Sequence, residues 1–223
     1  MRRFVRDRVI RQTGPPFMIA VIDYNAGNLT SVCCAVRHLG LEPTVTQDPD
    51  EVRRADHVIF PGVGAAGASM ETLRARGLDQ GLHDARAAGK PILGICVGCQ
   101  IIFTFSDENG GIDCLDLLPG TVERFRFPAG VHRKVPHMGW NEVRLDTQHP
   151  VLDGVPAQSQ FYFVHSYHVR AEDPDCVIGT ATYGEVDFTA IVARESLFAV
   201  QFHAEKSGPP GLRLLENFLR WSP

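Results

Sequence analysis

Apolar runs of four or five residues alternate with amphipathic stretches through the first hundred positions. Ile19 to Ile22 is an unbroken apolar run ahead of Asp23, which predicts a buried strand over 19–23. Leu29, Val32, Cys33, Val36 and Leu39 then recur at helical spacing, with Asn28 placed to cap the helix and Gly40 to close it. Residues 43–46 predict a second strand, 49–54 a short helix and 57–60 a third strand. This β-α-β-α-β order is that of a parallel sheet with helices on its faces. Helices predicted at 68–75 and 78–88 lead to an apolar central strand at 91–95. A further helix follows from Val97, with Ile101, Ile102 and Phe105 on its apolar stripe, and then a polar loop at 107–111. Beyond it the pattern changes to short strands punctuated by Gly and Pro, at 121–126, 141–145, 161–165, 168–171, 177–182, 189–194 and 198–202. A helix at 211–221 ends the chain, with Leu214, Leu215, Phe218 and Leu219 as its stripe. The expected fold class is α/β: a mostly parallel central sheet flanked by helices, with an added antiparallel β region in the C-terminal half.

Bulk properties narrow the function classes. A chain of 223 residues supports one sizeable core, and 44% apolar with 22% charged residues is ordinary for a globular protein. The formal charge of −4 gives no reason to expect nucleic acid or an anionic membrane surface as partner, and no apolar run is long enough to span a bilayer. Six cysteines in a chain of this size do not suggest a disulfide scaffold, so reducing cytoplasm is the expected compartment. The first 17 residues stand apart: Arg2, Arg3, Arg6, Arg8 and Arg11 face a single acid, Asp7, and the stretch runs into Gly14-Pro15-Pro16. With no apolar h-region and no serine, it reads as neither a secretory signal nor a transit peptide. Residues 1–17 are expected to be a disordered extension, with Met18 a sensible start for a single domain over 18–223.

The chemistry concentrates between the central strand and the helix after it. Gly94-Ile95-Cys96-Val97-Gly98 has the form of a nucleophile elbow with sulfur in place of hydroxyl. Such a turn lifts its middle residue above the sheet and points helix N-terminal N–H groups at it, which favours thiolate. The competing interpretation is a buried structural cysteine in a glycine-rich turn. Pro61-Gly62-Val63-Gly64 follows the third strand and is either a phosphate cradle, an oxyanion hole serving Cys96, or a tight βα turn. A cysteine nucleophile needs a base and the base an orienting acid. Among nine histidines, His203 is the best candidate, because it leaves the end of an apolar strand with Glu205 two residues on. Cys96 and Cys99 also spell C-x-x-C, which admits a redox pair, or a zinc site completed by Cys114 with His165 or His168. Neither is favoured: there is no second C-x-x-C, and no metal or other cofactor is expected. The spacing of Cys96 and Cys99 does suggest that an oxidant could link them and silence the nucleophile.

These residues resemble the class I (triad) glutamine amidotransferases. Gly94 to Gln100 is similar to that family's cysteine elbow, the residues from Phe198 to Glu205 to its Q-F-H-P-E block, and Pro61-Gly62-Val63-Gly64 to its oxyanion loop. Pro136-His137-Met138-Gly139-Trp140-Asn141 and Phe163-Val164-His165-Ser166-Tyr167, with Asp23 to Asn28, resemble more narrowly the glutaminase subunits of imidazole glycerol phosphate synthase. The resemblance implies that Cys96, His203 and Glu205 are the catalytic set and that Gly62, Val63, Gly64 and Val97 hold the oxyanion. It implies that Gln100 and Glu108, with backbone at His165 and Ser166, bind glutamine. It further implies a heterodimer with a (β/α)₈ cyclase subunit that receives the ammonia in histidine biosynthesis, met through Asn25, Pro136, His137, Met138, Gly139 and Trp140. The alternatives are the glutaminase subunit of another class I amidotransferase, which would lack the P-H-M-G-W-N block, and a non-catalytic binding module on the same fold. Two departures from the family pattern stand out: Cys99 replaces a methionine, and Ala204 replaces the proline between His203 and Glu205.

Overall fold

The computed structural model describes residues 17–25 and 27–223, so the expected extension falls, apart from Phe17, outside the described residues. Phe17 lies half-buried against the ring of His57. Elements follow in the order β1 (Ile19–Ile22), α1 (Leu29–His38), β2 (Pro43–Thr46), α2 (Pro49–Arg54), β3 (His57–Gly62), α3 (Ala66–Arg76), α4 (Leu78–Ala87), β4 (Ile92–Cys96) and α5 (Val97–Ile101). Then come β5 (Phe103–Ser106), β6 (Ile112–Asp113), β7 (Leu118–Arg124), β8 (His137–Glu142), β9 (Arg144–Leu145), β10 (Gln160–His165), β11 (Tyr167–Ala171), β12 (Val177–Tyr183), β13 (Val186–Arg194), β14 (Leu197–Val200) and α6 (Gly208–Phe218).

Among the described residues one sheet dominates. Its parallel half runs β2-β1-β3-β4-β14; it continues antiparallel through β13, β11 and β7, with β12 and β9 branching from β13, and ends with β5 parallel to β7 and β6 antiparallel to β5. The antiparallel region expected in the C-terminal half is therefore an extension of the same sheet. A second, two-stranded antiparallel ribbon, β8 with β10, stands off it. Strands β1, β3, β4 and β14 are buried at every position, which is why the sequence reads there as unbroken apolar runs. Helix α1 packs with α6, and α3 with α4.

Two elements depart from the periodicity. The helix after Cys96 stops at Ile101, and Phe105 lies on β5, not on a helical stripe. Phe103-Thr104-Phe105-Ser106 is a β-favouring stretch, and pairing with β7 decides it. The last helix starts at Gly208, three residues earlier than expected, because Pro209 and Pro210 fit a first turn whose N–H groups have no intrahelical partner.

Candidate active site

The carboxyl ends of β1, β3, β4 and β14 deliver the candidate residues to one edge of the sheet, where ligands sit in open α/β sheets. Cys96 ends β4 with φ 55° and ψ −108°, a backbone conformation that a side-chain-bearing residue seldom adopts. The turn closes only because its neighbours are glycines. A Cβ at Gly98 would collide with the carbonyl oxygen of Phe60 in β3, and one at Gly94 would lie 3.0 Å from the Cβ of Ala199 in β14. The elbow thus holds β3 and β14 at close quarters. In register, Gly62 stands beside Cys96.

The triad candidates meet. His203 Nδ1 lies 2.8 Å from Glu205 Oε1, and both side chains are buried. The same oxygen accepts from Asn28 Nδ2 at 2.6 Å. Asn28, expected to cap α1, sits at φ 62° with no side-chain cap bond: its amide is drawn across to a carboxylate 177 positions away. Burial opposes charge on His203, yet the neighbouring Cys96 sulfur and the Glu205 carboxylate outweigh it and raise the imidazole above its usual pKa. His203 Nε2 has no other partner among the described residues, which leaves that ring nitrogen to the Cys96 sulfur, whose attraction raises the imidazole. An imidazole between a buried carboxylate and a thiol can carry a proton from the thiol to a leaving group. Cys96 Sγ itself lies 3.8 Å from Val164 O and 4.0 Å from Gln201 Nε2.

A cavity of about 260 Å³ opens beside the sulfur. Of the residues expected to hold the oxyanion or glutamine, Val63, Gly64, Val97, Gln100, Glu108, His165 and Ser166 line it and Gly62 does not. Val164 and Tyr167 join them, and so does Pro136, which was expected at a partner interface. A larger groove of about 740 Å³ over Leu145 and neighbouring residues shares none of these side chains and holds no candidate nucleophile. Gln100 does not hang free in the cavity: its Nε2 donates to Tyr167 O at 2.9 Å and to Gln201 Oε1 at 3.0 Å. Glu108 Oε2 accepts from Ala66 N at 2.6 Å, at the first turn of α3 just after the 62–64 loop. One carboxylate therefore faces the cavity and also holds that loop's exit.

On the ribbon, alternation separates the residues expected at an interface. Met138 (63% exposed) and Trp140 (56%) face outward, and Asn25 is exposed. His137 is a correction: it is only 3% exposed, because the period of two in β8 turns it inward onto Phe163 and Tyr183. Trp140 lies edge-on to Tyr162, ring centroids 6.1 Å apart, and Tyr162 stands 6.5 Å from the His203 ring. All six cysteines are free thiols, and burial raises the pKa of Cys99 well above the usual thiol value. A thiol kept protonated is a poor partner for exchange, which weighs against a working C-x-x-C pair. Among the described residues no cluster of three or more potential metal ligands forms.

Comparison with known proteins accords with this geometry. The family model for glutamine amidotransferase class-I matches residues 20–221. The chain belongs to the class-I glutamine amidotransferases. It is 50% identical over 214 residues to the imidazole glycerol phosphate synthase subunit HisH of Methylococcus capsulatus, covering 92% of this chain and 97% of that protein. It is 48% identical to the HisH subunit of Desulfovibrio desulfuricans, covering 92% and 94%. A chain of the solved PurLQS structure from Thermotoga maritima superposes with a TM-score of 0.69 at 18% identity, over 91% of this chain and 97% of that one, which establishes the shared fold. As an amidotransferase, the chain is an enzyme of amide nitrogen transfer from glutamine. Missed by the sequence reading are Gln201, the place of Val164 and Tyr167 in the cavity wall beside His165 and Ser166, and the bond from Asn28 to Glu205. A polar Gln201 inside the apolar run before His203 was the one available signal.

Proposed function

We propose that this chain is the glutaminase subunit of an imidazole glycerol phosphate synthase, acting with a (β/α)₈ cyclase subunit in the cytoplasm. The observation that carries the specific assignment is the β8 ribbon. It keeps the P-H-M-G-W-N block, exposes Met138 and Trp140, and lies one aromatic step from the catalytic histidine. Relatives bearing the HisH name match over nearly their full length.

In the proposed mechanism His203 takes the Cys96 proton, and Sγ attacks the side-chain amide carbon of glutamine. The tetrahedral oxyanion is held by backbone donors of the 62–64 loop and of Val97. The C–N bond then breaks, and the imidazolium returns its proton to the departing ammonia. Water, deprotonated by His203, cleaves the thioester to glutamate and regenerates the thiol. Glu205, held by Asn28, keeps the imidazole oriented and balances its charge. Gln100 and Glu108 meet the substrate's α-amino and amide ends, with backbone at His165 and Ser166 completing the seat. Ammonia passes to the cyclase across the face carrying Asn25, Met138 and Trp140. Glutamine hydrolysis measured with and without a cyclase subunit carrying its ligand tests the assignment. Marked stimulation is expected. An unchanged rate would move the chain to another branch of the amidotransferases.

A further inference from the structure

Two buried imidazoles outside the triad face each other behind the cavity. His137 and His165 are register partners at the last rung of the β8–β10 ribbon, with His137 Nδ1 2.9 Å from His165 Nε2. His165 Nδ1 lies 2.8 Å from Tyr167 O. A carbonyl only accepts, so His165 carries its hydrogen on Nδ1, and its Nε2 must accept from His137 Nδ1. His137 Nε2 is then an acceptor, and it faces Asn141 Nδ2 at 3.4 Å, a group that also donates to Thr182 O at 2.9 Å. The whole chain of donors therefore has one direction, and both rings are neutral. Aromatic rings of Phe125, Phe163 and Phe188 enclose the pair, with Tyr183 stacked on His137. The titratable groups acting on it are His168 and His203, both of which disfavour further positive charge.

The far end of this chain is the cavity wall. Tyr167 O, which takes the His165 hydrogen, also takes Gln100 Nε2. Val164 O, one residue before His165, is the carbonyl within hydrogen-bond range of the Cys96 sulfur. The near end is the strand that turns Met138 and Trp140 outward. We propose that the His137–His165 pair is a positioning device. It pins the 164–167 wall of the glutamine cavity to strand β8, so that a load on the outer face of β8 is felt where substrate binds. Neutral hydrogen-bonded rings in an apolar shell are well suited to this: the network is either fully satisfied or costly to break, so the wall has a defined position. Transmission of a load from β8 rests on the proposed complex. Positioning of the wall does not.

Two amide variants separate hydrogen bonding from bulk. In His137→Asn the side-chain amide falls near the place of Nδ1–H and can still donate to His165. In His137→Gln it falls near Nε2 and cannot. The readout in the isolated chain is the glutamine concentration that half-protects Cys96 from iodoacetamide, followed at the Cys96 peptide by mass. H137N is expected within about threefold of wild type and H137Q to need about tenfold more glutamine, the loss of one net hydrogen bond. Both variants behaving alike, whether both intact or both impaired, would overturn the inference, since packing alone cannot tell the two amides apart. In the presence of the cyclase, H137Q is expected to raise KM for glutamine more than it lowers kcat and to blunt the stimulation that H137N keeps. Absence of stimulation in wild type would count against the proposed complex, while the protection contrast still decides the role of the pair.

Discussion

Asn28 offers the sharpest single test of the site, because one substitution removes its amide and almost nothing else. Its backbone has φ 62°, a value glycine adopts without strain, and glycine at a helix N-cap costs only a few tenths of a kcal/mol. Asn28→Gly therefore deletes the 2.6 Å bond to Glu205 Oε1 and leaves α1 in place. Glu205 Oε2 has no partner among the described residues, so the carboxylate would then be held by His203 alone. A hydrogen bond to a charged group contributes about 1.5–3 kcal/mol. Expressed wholly when the imidazolium forms, that is about 10–100-fold in kcat at 1.36 kcal/mol per decade. Water entering the vacated space would compensate in part, which places the expectation near the tenfold end. Asn28 does not line the cavity, so KM should stay within about threefold. Initial rates of glutamine hydrolysis across substrate concentration give both quantities. Asn28→Asp adds a sign test. Two carboxylates at hydrogen-bond distance share a proton, so this variant should lose most activity at alkaline pH. Its rate relative to wild type should recover as pH falls and the new acid becomes a donor. A kcat for Asn28→Gly within twofold of wild type would refute the claim that this amide orients the triad.

Three further outcomes are expected. Gly98→Ala drives a Cβ into the Phe60 carbonyl, a backbone atom that cannot rotate away, and should cost about 1–3 kcal/mol, or roughly 2–4 °C of Tm per kcal/mol in calorimetry; a Tm equal to wild type would show that the elbow tolerates relaxation. Burial lowers the pKa of His137 to about 4 and of His165 to about 3, so between about pH 6.5 and 4 the unfolded chain takes up protons that the folded chain refuses; urea midpoints should fall steadily from pH 7 to 5, and a flat profile would count against neutral buried rings. Trp140→Ala removes a side chain 56% exposed, so stability should move by no more than about 0.5 kcal/mol while stimulation by the cyclase falls at least tenfold; loss of stability with intact stimulation would place Trp140 in the core instead.

What the sequence revealed divides along a physical line. Strands β1, β3, β4 and β14 were legible because burial on both faces forces unbroken apolar runs, and Cys96 was legible because only glycines allow its turn. Asn28 does stand at the N-cap of α1, but its side chain was misread because capping logic is local, whereas its partner Glu205 lies 177 positions on, in a turn packed against α1. Ile101, Ile102 and Phe105 satisfy a helical stripe as well as a buried turn into a strand, and only pairing with β7 distinguishes the two. Reading 136–140 as one surface block hid the alternation that sends His137 inward and Trp140 outward. The hydrogen-bonded His137–His165 pair was invisible for the same reason: strand register is a tertiary property, and 28 residues separate the two rings.

The glycines around Cys96 do more than permit a turn. Each one lets a different strand or loop approach until backbone meets backbone or side chain, and each approached element then carries a site residue onward. Gly98 rests on Phe60 of β3, which continues into the 62–64 loop. Gly94 rests on Ala199 of β14, which continues through Gln201 to His203. Gly62 lies against the Tyr24 hydroxyl, four residues before Asn28. Close packing beneath Cys96 thus sets how near these elements come, and the hydrogen bonds above it orient the side chains they carry. Interiors packed to crystal density transmit a displacement of a few tenths of an ångström with little loss. Substitutions at these contacts should therefore reduce kcat by more than their effect on Tm alone would suggest, because misplacement of reacting groups by about 1 Å can cost about a hundredfold in rate.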